Sequence, residues 1–242
     1  MAEEITYPIR INRYLALRGL ATRRGADTLI EAGLVHINGK LAVLGDRVAD
    51  ATVRVEVLKN KNNAPKKLTY VAYYKPRGII THSPQFENEQ EIADISGFSG
   101  TFPIGRLDKD SEGLILLTND GRVTERLLHP RFQHEKEYEV TVREDIPSNL
   151  KTMLEEGVYN EGEWLNAKKV TVVSKHRAII ILTEGKKHHI RRMMSEARLT
   201  VEQLVRTRIM DIYLGALKPG KGRVLEGAAR KAFLESITLP EL

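Results

Sequence analysis

Two aspartates, Asp108 and Asp110, stand in the segment GRLDKDSEG at residues 105–113, between a basic residue, Arg106, and the apolar run at residues 114–117. A carboxylate at the mouth of such a run can anchor structure, ligate a metal or act as a nucleophile. The metal option makes a definite demand on spacing. Asp108, Asp110, Glu112 and Gly113 imitate the first half of a calcium loop, which needs a bidentate Glu six residues after its glycine. That position holds Asn119, and leucine and isoleucine fill the segment between. An apolar run followed by Asn119-Asp-Gly reads instead as a strand entering a tight turn. Anchor and nucleophile remain.

Other positions carry chemistry less distinctively. Tyr138, in the alternating segment EKEYEVTV, fits a packing residue on a strand. His188 and His189 invite a metal reading, but adjacent residues of an extended chain face opposite ways, and no third ligand stands at a telling spacing. Arg191 and Arg192 follow at once, and Lys75 lies in a basic turn, YKPRG at residues 74–78.

Strands expected at residues 70–74, 135–142 and 178–182 must position these groups, together with a helix that opens from the glycine turn at 184–194 and packs Met193, Ala197 and Leu199 inward. Strands separated by irregular stretches and a few helices imply a mixed, largely antiparallel sheet flanked by helices, an α+β arrangement. The alternating βαβ pattern and the Gly-rich phosphate loop of nucleotide-binding folds are missing.

Composition agrees with one large or two modest domains in 242 residues, 41% of them hydrophobic. The formal charge of +6 favours a polyanionic partner. The absence of cysteine excludes disulfides and thiolate–metal sites and is compatible with the cytoplasm. The acidic N-terminus lacks a signal core, and no apolar run approaches the roughly 20 residues needed to cross a bilayer.

The polar, basic stretch KNKNNAPKK at residues 59–67 reads as a linker. It divides a front module (1–60), through a connection at 61–68, from a main domain (69–242). In the module, Ile11, Tyr14, Leu15 and Leu17 have helical spacing and Gly19 closes the helix. Thr22 is placed to cap a second helix that turns Ala26, Leu29 and Ile30 inward up to Gly33. An alternating strand at 34–37, the hairpin turn Asn38-Gly39, its return at 41–43 and a strand at 52–58 follow. Arg10, Arg13, Arg18, Arg23 and Arg24 crowd the helices with only Asp27 and Glu31 opposing them. Arginines at a helix start, where backbone N–H groups also favour anions, point to phosphate.

This module resembles the S4-like RNA-binding domain through RINRYL at residues 10–15, TRR at 22–24, AGLVHING at 32–39 and Gly45-Asp46, with Gly25 departing from the usual helix former. The main domain resembles RNA pseudouridine synthases of the RsuA/RluB/RluF type, through GRLDKDSEGL, the Lys136-x-Tyr138 pair, EGKKHHIRRM at 184–193, YKPRG and RTRIM at 206–210. The resemblance implies a pseudouridine synthase domain behind an S4-like module and isomerisation of uridine in ribosomal RNA, with the RTRI ending leaning toward the large subunit. It makes Asp108 the catalytic aspartate, Tyr138 the aromatic group stacked on the target base, and Arg191 the cation paired with the catalytic carboxylate. Arg106 would hold the flipped nucleotide's place, and Arg10, Arg13, Arg23, Arg24, Lys75 and Arg192 would contact RNA. No cofactor or metal is expected. The expected partner is ribosomal RNA or a subunit precursor, with tRNA a further substrate, no membrane, and a monomer by default. Tyr74 and His189 replace the Asn and Gln usual at these places. A non-catalytic ribosome-assembly factor is the competing reading, and the set Asp108, Tyr138 and Arg191 separates the two.

Overall fold

The computed structural model of the chain describes residues 5–21, 23–58, 67–84, 86 and 88–240. Thr22, the expected helix cap, and residues 59–66, the bulk of the expected linker, lie outside the described residues. Two compact units emerge: Met1–Thr69 with Asn119–Glu125, and Tyr70–Thr118 with Arg126–Leu242. Nothing in the composition of 119–125 marks its membership of the first unit. Asn119, where a calcium loop would place its Glu, accepts a hydrogen bond from the Thr69 N–H at 2.8 Å.

In the first unit β1 (Ile9–Arg10) leads into α1 (Ile11–Leu17), followed by α2 (Arg23–Glu31). The helical spacing turns Ile11, Leu15, Ala26 and Ile30 inward, with Tyr14, Leu17 and Leu29 packed against them. Gly19 and Gly33 both take φ +69°. Behind them Leu20 and Leu34 donate back to the carbonyls of Leu15 and Leu29, the left-handed exit that frees a helix end of unpaired carbonyls. β2 (Val35–Ile37) and β3 (Lys40–Leu41) flank Asn38-Gly39, whose φ values of +49° and +77° make the expected hairpin turn. β4 (Arg47–Val48) pairs with β1, and β5 (Val55–Val57) with β2. β3 is shorter than expected because Val43 enters a turn, donating its N–H to Asp46 at 2.9 Å.

The second unit contains β6 (Tyr70–Lys75), α3 (Ile92–Ile95), β7 (Phe102–Ile104), β8 (Glu112–Thr118), the end of α4 (Arg122–Leu128) and β9 (Lys136–Val142). It continues with α5 (Leu150–Glu156), β10 (Val158–Asn160), β11 (Glu163–Leu165), β12 (Lys169–Ser174), β13 (Arg177–Leu182) and α6 (His189–Glu196). β14 (Val201–Ile209), β15 (Ile212–Tyr213), β16 (Gly222–Val224) and α7 (Gly227–Ser236) complete it. The strands order as β12-β13-β9-β14-β8-β6-β16, with β7 also on β8 and β15 on β14. Pairings are antiparallel except β14 with β8, where Val205 faces Glu112 and Arg206 faces Gly113 in parallel. The sheet is therefore mixed and largely antiparallel, as the element pattern implied.

β8 is buried from Gly113 to Thr118, which is why its sequence is continuously apolar rather than alternating. One core packs Val140, Ile180 and Leu182 against Leu150, Leu154 and Met193 of α5 and α6. Another joins Val71, Tyr73, Ile115 and Leu117 to Ile92. α6 starts later than the glycine turn suggested, because His188 adopts φ +51° and bends the chain into the helix. His188 and His189 thus diverge across a helix entry rather than along a strand. Among the described residues no helix is long and apolar enough to cross a membrane.

Candidate active site

The loop before β8 holds Asp108, and its backbone is tied at every carbonyl from 107 to 111. The Leu107 carbonyl accepts from Thr81 Oγ1 at 2.7 Å, and the same hydroxyl accepts the Leu107 N–H at 3.0 Å. Ser111 N–H closes a turn on the Asp108 carbonyl, and Gly78 N–H reaches the Lys109 carbonyl. Arg191 donates to the Asp110 carbonyl at 3.0 Å. Lys75 Nζ donates to the Ser111 carbonyl at 2.7 Å and to the Lys109 carbonyl at 3.4 Å. With these carbonyls satisfied, the loop presents the Asp108 side chain, 39% exposed, to solvent.

Asp108 lines a cavity of about 520 Å³, within the roughly 300–1,000 Å³ of ligand pockets. Lys136 and Tyr138, two residues apart on β9 and so on one face, line it, as does Arg206 of β14, the cross-strand partner of Tyr138. Arg106, Lys186, Lys187 and Arg191 add to the wall. Six lysines and arginines thus surround one carboxylate, a field suited to an anionic ligand. Arg206 is 4% exposed. Its Nε donates to the Leu114 carbonyl at 2.6 Å, while Nη2 is buried without a hydrogen-bond partner.

Burial pushes Lys136 down to about 8, aided by repulsion from Arg206. Its ammonium therefore fades as pH rises through about 8. We expect an RNA contact made by Lys136 to weaken by about 2- to 10-fold between pH 7 and pH 9, and Lys136→Arg to flatten that step. Dissociation constants at fixed ionic strength check this; an equal step in the variant would remove Lys136 from the binding surface. The stability sign is opposite. A buried lysine with a pKa below its ordinary 10.5 costs stability while charged, and that cost is relieved between pH 8 and 10.5.

The structure brings Asp108, Tyr138, Arg191 and Arg106 around one cavity. Arg106 is exposed at its rim. Three expectations are corrected. Among the described residues Arg191 makes no ion pair with Asp108; its guanidinium is taken by the Asp110 and Val201 carbonyls. The basic group nearest the carboxylate is His188, with Nε2 3.8 Å from Oδ1. Lys75 is fully buried, its pKa pushed to about 8 by desolvation against the pull of Asp108, Glu112 and Asp110. It braces the Asp108 loop and has no surface to offer RNA. Arg192 is 9% exposed, bonded to Glu163 at 2.6 Å, Asn160 Oδ1 at 2.7 Å and the Asn160 carbonyl. It fastens the β10–β11 hairpin to α6.

In the front module Arg10, Arg13 and Arg23 are exposed. Asp27, expected to oppose them, instead accepts from Asn12 at 2.9 Å. The Arg24 side chain lies outside the described residues. Burial, together with the hydrogen bond that Tyr74 donates to Glu112 at 3.0 Å, raises the Tyr74 pKa to about 12. His189 is buried with neither ring nitrogen bonded, and desolvation lowers its pKa. Sequence reasoning passed over Lys136 and Arg206 as site residues. The period-two spacing of Lys136 from Tyr138 was a usable signal; the position of Arg206 depends on strand pairing that no local pattern reveals. Among the described residues no group of three or more His, Asp or Glu is arranged to hold a metal.

Comparison with known proteins bears on the same residues. Residues 69–196 match the RNA pseudouridylate synthase family model, and residues 9–50 match the S4 domain model. The dual-specificity RNA pseudouridine synthase RluF of Escherichia coli K12 is 36% identical over 218 residues, covering 90% of this chain and 75% of its own. An uncharacterized RNA pseudouridine synthase of Mycobacterium leprae is 35% identical over 227 residues, covering 90% and 89%. A crystal structure of a pseudouridylate synthase shares the fold at a TM-score of 0.68 and 24% identity, over 95% of this chain and 99% of that one. The chain therefore belongs to the RNA pseudouridylate synthases, isomerases of uridine in RNA, and carries an S4 RNA-binding domain at its front.

Proposed function

We propose that the protein isomerises a uridine of ribosomal RNA, with Asp108 as the reacting carboxylate and the target base flipped into the cavity above Tyr138. The observation that carries this reading is the single carboxylate set among six lysines and arginines and one tyrosine ring in a cavity of about 520 Å³. Isomerisation breaks the bond from ribose C1′ to N1 and makes one from C1′ to C5; C5 loses its proton and N1 gains one. The carboxylate assists by attack at the sugar or at the ring. The cations hold the phosphates on either side of the base. A base inside a stack is out of reach of Asp108, so it must leave the stack at a cost of a few kcal/mol, which stacking on Tyr138 recovers in part.

RNA tritiated at uridine C5 tests the reading, because only bond formation at C5 releases that tritium. Separate large-subunit, small-subunit and transfer RNAs serve as substrates. The RTRI segment favours the large subunit, and transfer RNA stays among the substrates as the further one the resemblance left open. No release from any of the three would overturn the proposal.

Tyr138→Ala is expected to slow single-turnover release about 5- to 150-fold, the loss of roughly 1–3 kcal/mol of stacking, while Tyr138→Phe keeps most of the rate. Tyr138 also belongs to the core, so thermal melting must show both variants folded. Equal rates for the folded Ala variant and wild type would remove the ring from the site.

A further inference from the structure

The hairpin of β10 and β11 pairs Val158 with Leu165, Tyr159 with Trp164 and Asn160 with Glu163. Alternation sends Val158 and Leu165 into the core and Tyr159 and Trp164 to the opposite, outer face. There the two aromatics are 64% and 56% exposed. Single exposed apolar residues need no explanation, but this is a cross-strand pair of large rings on one face of a braced hairpin. Glu161-Gly162 turns the hairpin with φ values of +49° and +82°. Arg192 clamps its inner side through Asn160 and Glu163. The indole lies across Gly157, where a side chain would collide with Trp164 Nε1. Lys186 Nζ donates to the Trp164 carbonyl at 2.6 Å, and Lys186 also lines the Asp108 cavity. Lys186 thus ties the backbone of β11 at Trp164 to the cavity wall.

We propose that Tyr159 and Trp164 form a stacking platform for a nucleotide of the substrate RNA that flanks the base entering the cavity. This rests on the reading of the cavity as an RNA site. Rigid aromatic faces stack any base at little entropic cost, and the exposed Lys187 on the cavity wall supplies positive charge for the adjoining phosphates. Of the nearby carboxylates, Glu163 lies on the other face and is paired with Arg192, as is Glu161; Glu184 is paired with Lys186.

The chain has one tryptophan, so the platform reports on itself. The full chain is titrated with a 15-nucleotide oligouridylate carrying a terminal dye, reading dye anisotropy and tryptophan emission together. Emission is expected to fall with the same midpoint as the anisotropy rise, and base-free polyphosphate of equal charge is expected to bind without quenching. Trp164→Leu is expected to weaken oligouridylate binding about 5- to 150-fold and to raise the KM for tritium release, leaving kcat and the melting temperature unchanged. Binding without quenching, or equal quenching by polyphosphate, overturns the platform and leaves the RNA site standing; the former gives the aromatic pair to a protein partner. No binding of oligouridylate, with no tritium release from any RNA, overturns both.

Discussion

Asp108→Asn is expected to bind RNA as wild type does and to lose pseudouridine formation by a factor on the order of 10⁴ or more, the scale of removing a reacting group. The substitution is nearly isosteric, and the loop that holds it is fixed by other groups: Thr81, Lys75, Gly78 and Arg191 hold backbone carbonyls, not the Asp108 side chain. Its melting temperature should therefore hardly move. Filter binding and tritium release under single-turnover conditions separate the two effects. Full turnover in the variant would sink the assignment of Asp108 and reopen the role of a structural anchor. A joint loss of binding and turnover would make it a binding residue.

Gly113→Ala is expected to have the largest effect on stability, about 4 kcal/mol or more, the range reached by strained and overpacked sites. Gly113 has φ +104°. A side chain there would collide with the Arg206 carbonyl, lie 2.7 Å from the Arg206 nitrogen and touch Val205 Cγ1 at 3.0 Å. Two of these neighbours are backbone of the paired strand and cannot swing aside, so β8 and β14 would have to separate. Gly162→Ala is the control. It also has positive φ, at +82°, but nothing lies within 4 Å of the added carbon, and it should cost only about 1 kcal/mol. Urea unfolding of both variants checks the contrast; equal midpoints would show that the close approach at Gly113 is unimportant.

Local patterns carried much of this architecture. The alternation in β9 and the apolar content of β6 and β13 sufficed to place those strands, and Asn38-Gly39 fixed a turn through its φ preference alone. Asp108 stood out because it sits in a short motif whose residues adjoin in sequence; Tyr138 read by itself as a packing residue and stood out only through the resemblance. What resisted reading depended on distant chain. Lys75-Pro-Arg looks like an exposed basic turn, and only the folding of residues 107–111 over it buries the ammonium. Arg192 follows Arg191 on a helix whose apolar spacing marks Met193, and the β10–β11 hairpin, which covers it, is encoded thirty residues earlier. Gly113 stood in the sequence only as the glycine of the rejected calcium loop, whereas its bare Cα admits a strand ninety residues away.

That parallel register between β8 and β14 also sets an order of events in time. Glu112 meets Val205 only after the whole intervening chain has been made, and non-local parallel pairing is among the slowest steps of folding. The strand pairings of the front module all lie within residues 9–57 and need no such wait. During synthesis the front module is therefore expected to fold first, and the cavity that holds Asp108 to form only once Arg206 has emerged and closed the sheet. Truncated products that end before β14 would hold RNA without modifying it.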